Sequence, residues 1–296
     1  MKTSLYPLLT SIALASTASA HAGLPKRPPP APHAAVIHKK TPKMTLQKQQ
    51  VVDLLKAIET GAAAPVSVIN PDKYIQHNLG AEDGLAGFGQ LLSQLPPGSA
   101  RVNTVRVFQD GDYVFAHTDY NFFGPKVGFD IFRFEDGRIV EHWDNLQAAA
   151  PRNPSGNTMT DGPTQATDAM HTESNRKLVS SFVDDILVHG RMEKLGGYFS
   201  GDHYIQHNPM IANGLSGLGA ALKAMADAGV TMKYDRVRRV LAEGNFVLTV
   251  SEGEYDGKPT SFYDLFRVEN GRIAEHWDTI EIIPPCTQWK NQNGKF

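Results

Sequence analysis

Apolar residues recur at helical spacing through "TLQKQQVVDLLKAIETG", where Val51, Val52, Leu54, Leu55 and Ile58 share one face and Gly61 ends the run. An extended "DKYIQHN" follows, then "GLAGFGQLLSQLPPG", a short helix stopped by Pro96-Pro97. Four strand-like runs come next: "RVNTVRVFQ", "YVFAHTDYNF", "VGFDIFRF" and "RIVEHWDNLQ". Their breaks fall at Asp110-Gly111, Gly124-Pro125 and Asp136-Gly137. Two helices ahead of a meander that must bury one face predict an α+β domain with a curved antiparallel sheet.

The whole pattern then restarts. "ESNRKLVSSFVDDILVHG" repeats the helix, and "DHYIQHNP" repeats the extended step at an offset of 130 residues. The last hairpin, "FDIFRFEDGRIVEHWDNLQ", returns as "YDLFRVENGRIAEHWDTIE" at an offset of 134. Two repeats of this length predict two domains, 45–150 and 171–284, rather than a solenoid. Residues 151–170 have linker composition and 285–296 read as a tail.

The hairpin carries the titratable residues, and its turn decides where they point. A plain two-residue turn at Asp136-Gly137 sets Arg133 beside Val140 and Phe132 beside Glu141. A three-residue loop with a bulge sets Arg133 opposite Glu141, Phe132 opposite His142 and Asp130 opposite Asp144. Cross-strand charge pairing favours the bulged register, and the second repeat keeps the option with Arg267–Glu275, Phe266–His276 and Asp264–Asp278. One face then carries Asp130, Phe132, His142 and Asp144, the composition of a pocket floor. The other carries Arg133, Glu141 and Trp143, a contact surface. The plain register would turn His142 and Asp144 to the opposite face. Two carboxyls facing each other in an apolar cup cannot both ionise cheaply, which suits proton transfer near neutral pH.

"YIQHN" followed by "DIFRFEDGRIVEHWD", twice and in order, resembles the SnoaL-like polyketide cyclase group. That group lies within the superfamily of nuclear transport factor two and ketosteroid isomerase. The resemblance spans nearly all of 45–150 and 171–284. It implies two tandem cone-shaped α+β barrels, each with a pocket inside its curved sheet. It also implies an intramolecular pseudo-dimer, with Trp143 and Trp277 near the seam. The implied chemistry is cofactor-independent acid/base work next to a carbonyl: aldol cyclisation, isomerisation or dehydration of a small hydrophobic ligand. Asp144 corresponds to the acid/base, with His142 and Asp130 beside it; Asp278, His276 and Asp264 are their second-repeat counterparts.

Further histidines have open roles. His117, in line with Tyr113 and Phe115, is a candidate donor to an enolate oxygen, and its second-repeat counterpart is Val250. That difference suggests an altered or idle second pocket. His77 and His207, within "YIQHN", are either pocket groups or structural histidines. A metal held by His77, His117 or His142 with Asp130 or Asp144 is the rival reading. It lacks a close ligand spacing, so neither metal nor cofactor is expected. A non-catalytic small-ligand binder on the same fold is the alternative function.

The totals narrow the setting. With 29 basic and 31 acidic residues the charge is nearly balanced, which argues against a nucleic-acid partner. "MKTSLYPLLTSIALASTASA" reads as a secretory signal cleaved after Ala20, too short in its apolar run to span a membrane. Residues 21–44 read as a Pro-rich tail. Cys286 is the only cysteine, so no internal disulfide is available and stability must come from buried core.

Overall fold

The computed structural model describes residues 44–96 and 98–296. The expected signal peptide and nearly all of the Pro-rich tail lie outside the described residues. Helix α1 spans Leu46–Thr60; the Thr45 hydroxyl caps it by accepting from the Lys48 amide, and Gly61, at φ 70°, closes it in the left-handed conformation. Its apolar stripe buries Val51, Leu54 and Leu55. Strand β1 is the two-residue Ile75–Gln76, and helix α2 spans Gly84–Ser93. The meander comprises β2 (Arg101–Asp110), β3 (Tyr113–Asn121), β4 (Pro125–Glu135) and β5 (Arg138–Ala148).

The second repeat reproduces each element. Helix α3 (Thr172–Phe182) runs on into a wider π turn at Val183–Val188. Then come β6 (Ile205–Gln206), α4 (Gly214–Asp227), β7 (Met232–Glu243), β8 (Phe246–Tyr255), β9 (Lys258–Glu269) and β10 (Arg272–Ile282). The sheets have the orders β1-β5-β4-β3-β2 and β6-β10-β9-β8-β7. In each, the short "YIQHN" strand adds parallel to the outer edge of the last hairpin, pairing Gln76 with His142 and Gln206 with His276. The architecture is α+β, the same fold twice. No helix among the described residues is long and apolar enough to cross a membrane.

The hairpin tips combine the two turn options. Asp136 and Gly137 both have positive φ, 49° and 76°, as a tight two-residue turn requires, and Phe134 pairs with Ile139 across it. The register then shifts between Phe134 and Arg133, which leaves Val140 as the extra residue. Beyond that bulge Arg133 faces Glu141, Phe132 faces His142 and Asp130 faces Asp144. The expected pairing is therefore present, but the bulge sits inside the strand rather than at the tip. The second hairpin repeats this, with Asn270-Gly271 at the turn and the shift between Ile273 and Glu275.

Each sheet has one face under its helices. In the first repeat Val51, Leu54, Leu55 and Phe88 pack there on Val114, Ala116, Phe132 and Phe134. The opposite faces of both sheets contribute to one further core. Phe108, Phe115, Phe129, Ile131 and Trp143 from the first pack with Leu241, Phe246, Leu248, Tyr263, Leu265 and Trp277 from the second. Arginines cross reciprocally: the Arg239 guanidinium lies 3.9 Å from the Trp143 ring centre, and that of Arg106 lies 4.5 Å from Trp277.

Candidate functional site

Asp130, His142 and Asp144 project from neighbouring strands β4 and β5 toward the helix-covered face, and all three are buried. They stand at the polar end of a cavity of about 100 Å³. Leu54, Leu55 and Ile58 of α1, Phe88 and Leu91 of α2, and Phe122, Phe132 and Leu146 supply its apolar walls. Tyr74, Gln76, Asn78 and Tyr120 complete the lining.

Hydrogen bonds fix the proton positions on His142. The Gln76 side-chain oxygen accepts from the Asn78 amide at 2.8 Å, which orients the Gln76 amide group. That same oxygen faces His142 Nδ1 at 3.0 Å, so Nδ1 carries a proton. His142 Nε2 then meets Asp130 Oδ1 at 3.3 Å, and one proton lies between imidazole and carboxyl. The Tyr120 hydroxyl donates to the other Asp130 oxygen at 2.6 Å. Asn78 donates to Asp144 Oδ2 at 2.5 Å, while Asp144 Oδ1 is buried with no hydrogen-bond partner. Burial is the main cause that pushes the Asp130 carboxyl above its ordinary range, and the Asp144 charge adds to it; His142 opposes both.

The second repeat builds the same triad. Gln206 orients His276 at 2.9 Å, His276 Nε2 meets Asp264 Oδ1 at 3.0 Å, and Asn208 donates to Asp278 Oδ2 at 2.6 Å. Burial opposes a proton on His276, but the hydrogen bond to Asp264 and the two carboxylates outweigh it and raise its pKa. Burial likewise raises Asp278. One partner has changed strand. Tyr120 on β3 pairs across to Val102 on β2; at the equivalent pair of the second sheet the tyrosine is Tyr234 on β7, facing Gly253 on β8. The Tyr234 hydroxyl nonetheless reaches Asp264, at 3.3 Å from each oxygen. A side chain at Gly253 would meet the Lys233 carbonyl at 1.9 Å, so the exchange requires glycine there.

Three expected site residues lie elsewhere. His117 is on the opposite face of β3, stacked on Phe129 and accepting from Arg106 Nη1 at 2.6 Å. It belongs to the core shared by the two sheets, where its counterpart Val250 also sits, so its absence from the second repeat does not weaken that pocket. His77 stacks on Trp143 and joins Glu141 at 3.0 Å and the Gly294 carbonyl at 2.9 Å. His207 does the same with Trp277, Glu275 and the Thr158 carbonyl. These histidines are structural because the parallel pairing of β1 and β6 points alternate residues away from the pocket. The polar pocket residues are instead their neighbours, Gln76 and Asn78, with Gln206 and Asn208. Their recurrence in both copies of "YIQHN" is the signal that would have found them.

Each triad offers an imidazole nitrogen and two carboxylate oxygens within 4.8 Å of one another. In the first site the chain itself supplies positive charge: Lys295 Nζ stands 3.6 Å from Asp144 Oδ1.

The family model for the SnoaL-like domain matches residues 51–142 and again 179–276. The chain belongs to the SnoaL-like family. This SnoaL-like chain matches no curated protein. Solved structures of similar fold include TsrD from Streptomyces laurentii, at 18% identity and TM-score 0.30, covering 36% of this chain and 92% of that one. IdmH of Streptomyces antibioticus, a proposed polyketide cyclase, is 17% identical at TM-score 0.31 and covers 35% of this chain and 93% of its own. A proposed ketosteroid isomerase from Kribbella flavida is 18% identical at TM-score 0.31, with 39% and 84% covered.

Proposed function

We propose that this SnoaL-like protein catalyses cofactor-independent proton transfer at a carbon next to a carbonyl, in an aldol cyclisation, isomerisation or dehydration of a small apolar substrate. The observation that carries the reading is the Asp130–His142–Asp144 triad buried at the polar end of a cavity whose other walls are aliphatic and aromatic. Asp144 is the base. Asn78 fixes its Oδ2, and its Oδ1 makes no hydrogen bond within the chain. Asp130 and His142 share a proton and donate it toward the developing enolate oxygen, with Tyr120 holding Asp130 in place. This replaces the donor role expected of His117 and His77. The matching triad of Asp264, His276 and Asp278 provides a second set of acid/base groups in the second repeat.

Export after Ala20 and a small apolar ligand as partner belong to the same proposal. Their support is the leader-like first twenty residues and the pocket lining. The test is turnover. Ligands extracted from the purified protein are identified by mass spectrometry and returned to the parent and to an Asp144→Asn, Asp278→Asn double variant. The parent should convert such a ligand, and the double variant should be slower by about 10²–10⁴-fold, the range general acid–base groups contribute. Tight binding with no conversion by the parent would favour the non-catalytic binder.

A further inference from the structure

The segments that follow the two hairpins are not loose connectors; each caps the triad of the other repeat. Asn153, after β5, donates to the Gln206 and Ile211 carbonyls beside the second triad. Asn291, after β10, donates to the Asn78 and Ala81 carbonyls beside the first. Asn157 reaches Gln206 and Asn213, and Asn293 reaches Gln76 and Asp83 in the same way. The Thr158 carbonyl then meets His207, as the Gly294 carbonyl meets His77. The next residue is Met159 in one case and Lys295 in the other, and both are buried.

A second difference matches the first. Glu281 on β10 accepts from the Leu146 amide of β5 at 2.8 Å, and Gln147 on β5 accepts from the Ile280 amide of β10 at 2.9 Å. These are reciprocal positions of one duplicated contact. Lys295 bonds Glu281 at 2.7 Å and lies 3.6 Å from Asp144. So the first triad has Lys295 and Glu281 where the second has Met159 and Gln147. A buried ammonium and its balancing carboxylate occur together at one site, and both are neutral at the other. Lys295 without Glu281 would bury an ammonium short of its nearest balancing charge.

We propose that Lys295 is a positioning residue that makes the two sites chemically unequal: it holds Asp144 as an ionised base, while Asp278, with no lysine or arginine beside it, serves as a neutral carboxyl donor. The proposal rests on the proton-transfer reading for its chemistry but on side-chain geometry for its charge asymmetry. Asp144 faces Asp130 and His142 on the sheet, Tyr74 and Tyr120 in the pocket, Tyr263 from the second sheet, and Glu281 and Lys295 at the seam. Lys295 is the one lysine or arginine in that set. Burial opposes its charge, yet Glu281 and Asp144 together hold its pKa above the ordinary lysine range. Asp278 faces His276, Asp264, Asn208, Tyr204 and Tyr234, with no lysine or arginine among them.

The test needs no substrate. Protein labelled with ¹³C at the aspartate carboxyl carbons is titrated by NMR, and the resonances are assigned with Asp144→Asn and Asp278→Asn. The Lys295→Met, Glu281→Gln double variant imports the pair already found at the second site and so leaves no buried charge unpaired. It should raise the midpoint of the Asp144 resonance by about one pH unit or more, a tenfold change in proton affinity, and leave Asp278 unmoved. Lys295→Arg should keep the parent midpoint. The reciprocal Met159→Lys, Gln147→Glu variant should lower the Asp278 midpoint, and it decides the matter if the first variant does not fold. A folded variant of either kind with an unmoved midpoint would overturn the proposal and leave Lys295 as a clasp for residues 285–296. If the midpoint moves but Asp144→Asn still processes ligand at the parent rate, the proton-transfer reading falls and the charge asymmetry stands.

Discussion

At the scale of single residues, burial decides what each titratable group does. His117 is 1% exposed, and burial, with Arg106 beside it, holds its pKa well below 6.5. The unfolded chain therefore binds more protons there, so the group's contribution to stability is lost as the pH falls below 6.5. His117→Val, which copies Val250, should lose less stability than the parent between about pH 7.5 and about pH 5, as denaturant unfolding at the two pH values would show. Arg106 keeps the Thr160, Asp161 and Pro163 carbonyls as acceptors in that variant. Tyr120→Phe removes the hydroxyl from buried Asp130 and should cost about 1–3 kcal/mol in the same assay, the penalty for an unsatisfied buried partner. Tyr234→Phe should cost less, since its two contacts with Asp264 are long, at 3.3 Å.

Elements fix which face each residue reaches, and here the text of the chain was partly legible. The Arg–Glu pairing in each hairpin revealed the register that sends His142 and Asp144 toward the helices, because only one register pairs opposite charges. The position of the bulge, at Val140, was hidden, since the turn and the strand both accommodate an extra residue. The side of His117 was illegible for a different reason. Both faces of β3 are buried, one under helices and one against the other sheet, so alternation there carries no polar signal. The exchange of Tyr120 for Tyr234 across neighbouring strands was likewise invisible without coordinates. It depends on Gly253, whose replacement by alanine forces β7 to shift. Gly253→Ala should destabilise by about 1–3 kcal/mol, the range for overpacking, and calorimetry would register it.

Over the whole molecule, the two repeats share buried surface rather than meeting through a thin seam. Phe108, Phe129 and Trp143 have no core of their own on that face without Phe246, Tyr263 and Trp277. The segments at 151–170 and 285–296, read from composition as linker and tail, add hydrogen bonds from Asn153 and Asn291. Their kinship was present in the sequence as "NPSGN" and "NQNG" after each hairpin, but asparagine-rich text reads as loop. Thermal unfolding of residues 44–296 should accordingly be one cooperative transition, with calorimetric and van't Hoff enthalpies equal. Two resolved transitions would mean that the shared core contributes little. Trp277→Ala, which also removes the ring beneath Arg106, should cost about 3–5 kcal/mol and lower that single transition.

The buried triads are held to move a proton between carbon and carboxyl, and hydrogen isotope exchange reads that step alone. An apolar aryl ketone is incubated with the protein in deuterium oxide, and mass spectrometry follows deuterium at the carbon beside the carbonyl. Exchange should run well above the buffer rate with the parent and return to it when both Asp144 and Asp278 are asparagine. Equal exchange by the parent and the double variant would contradict the account.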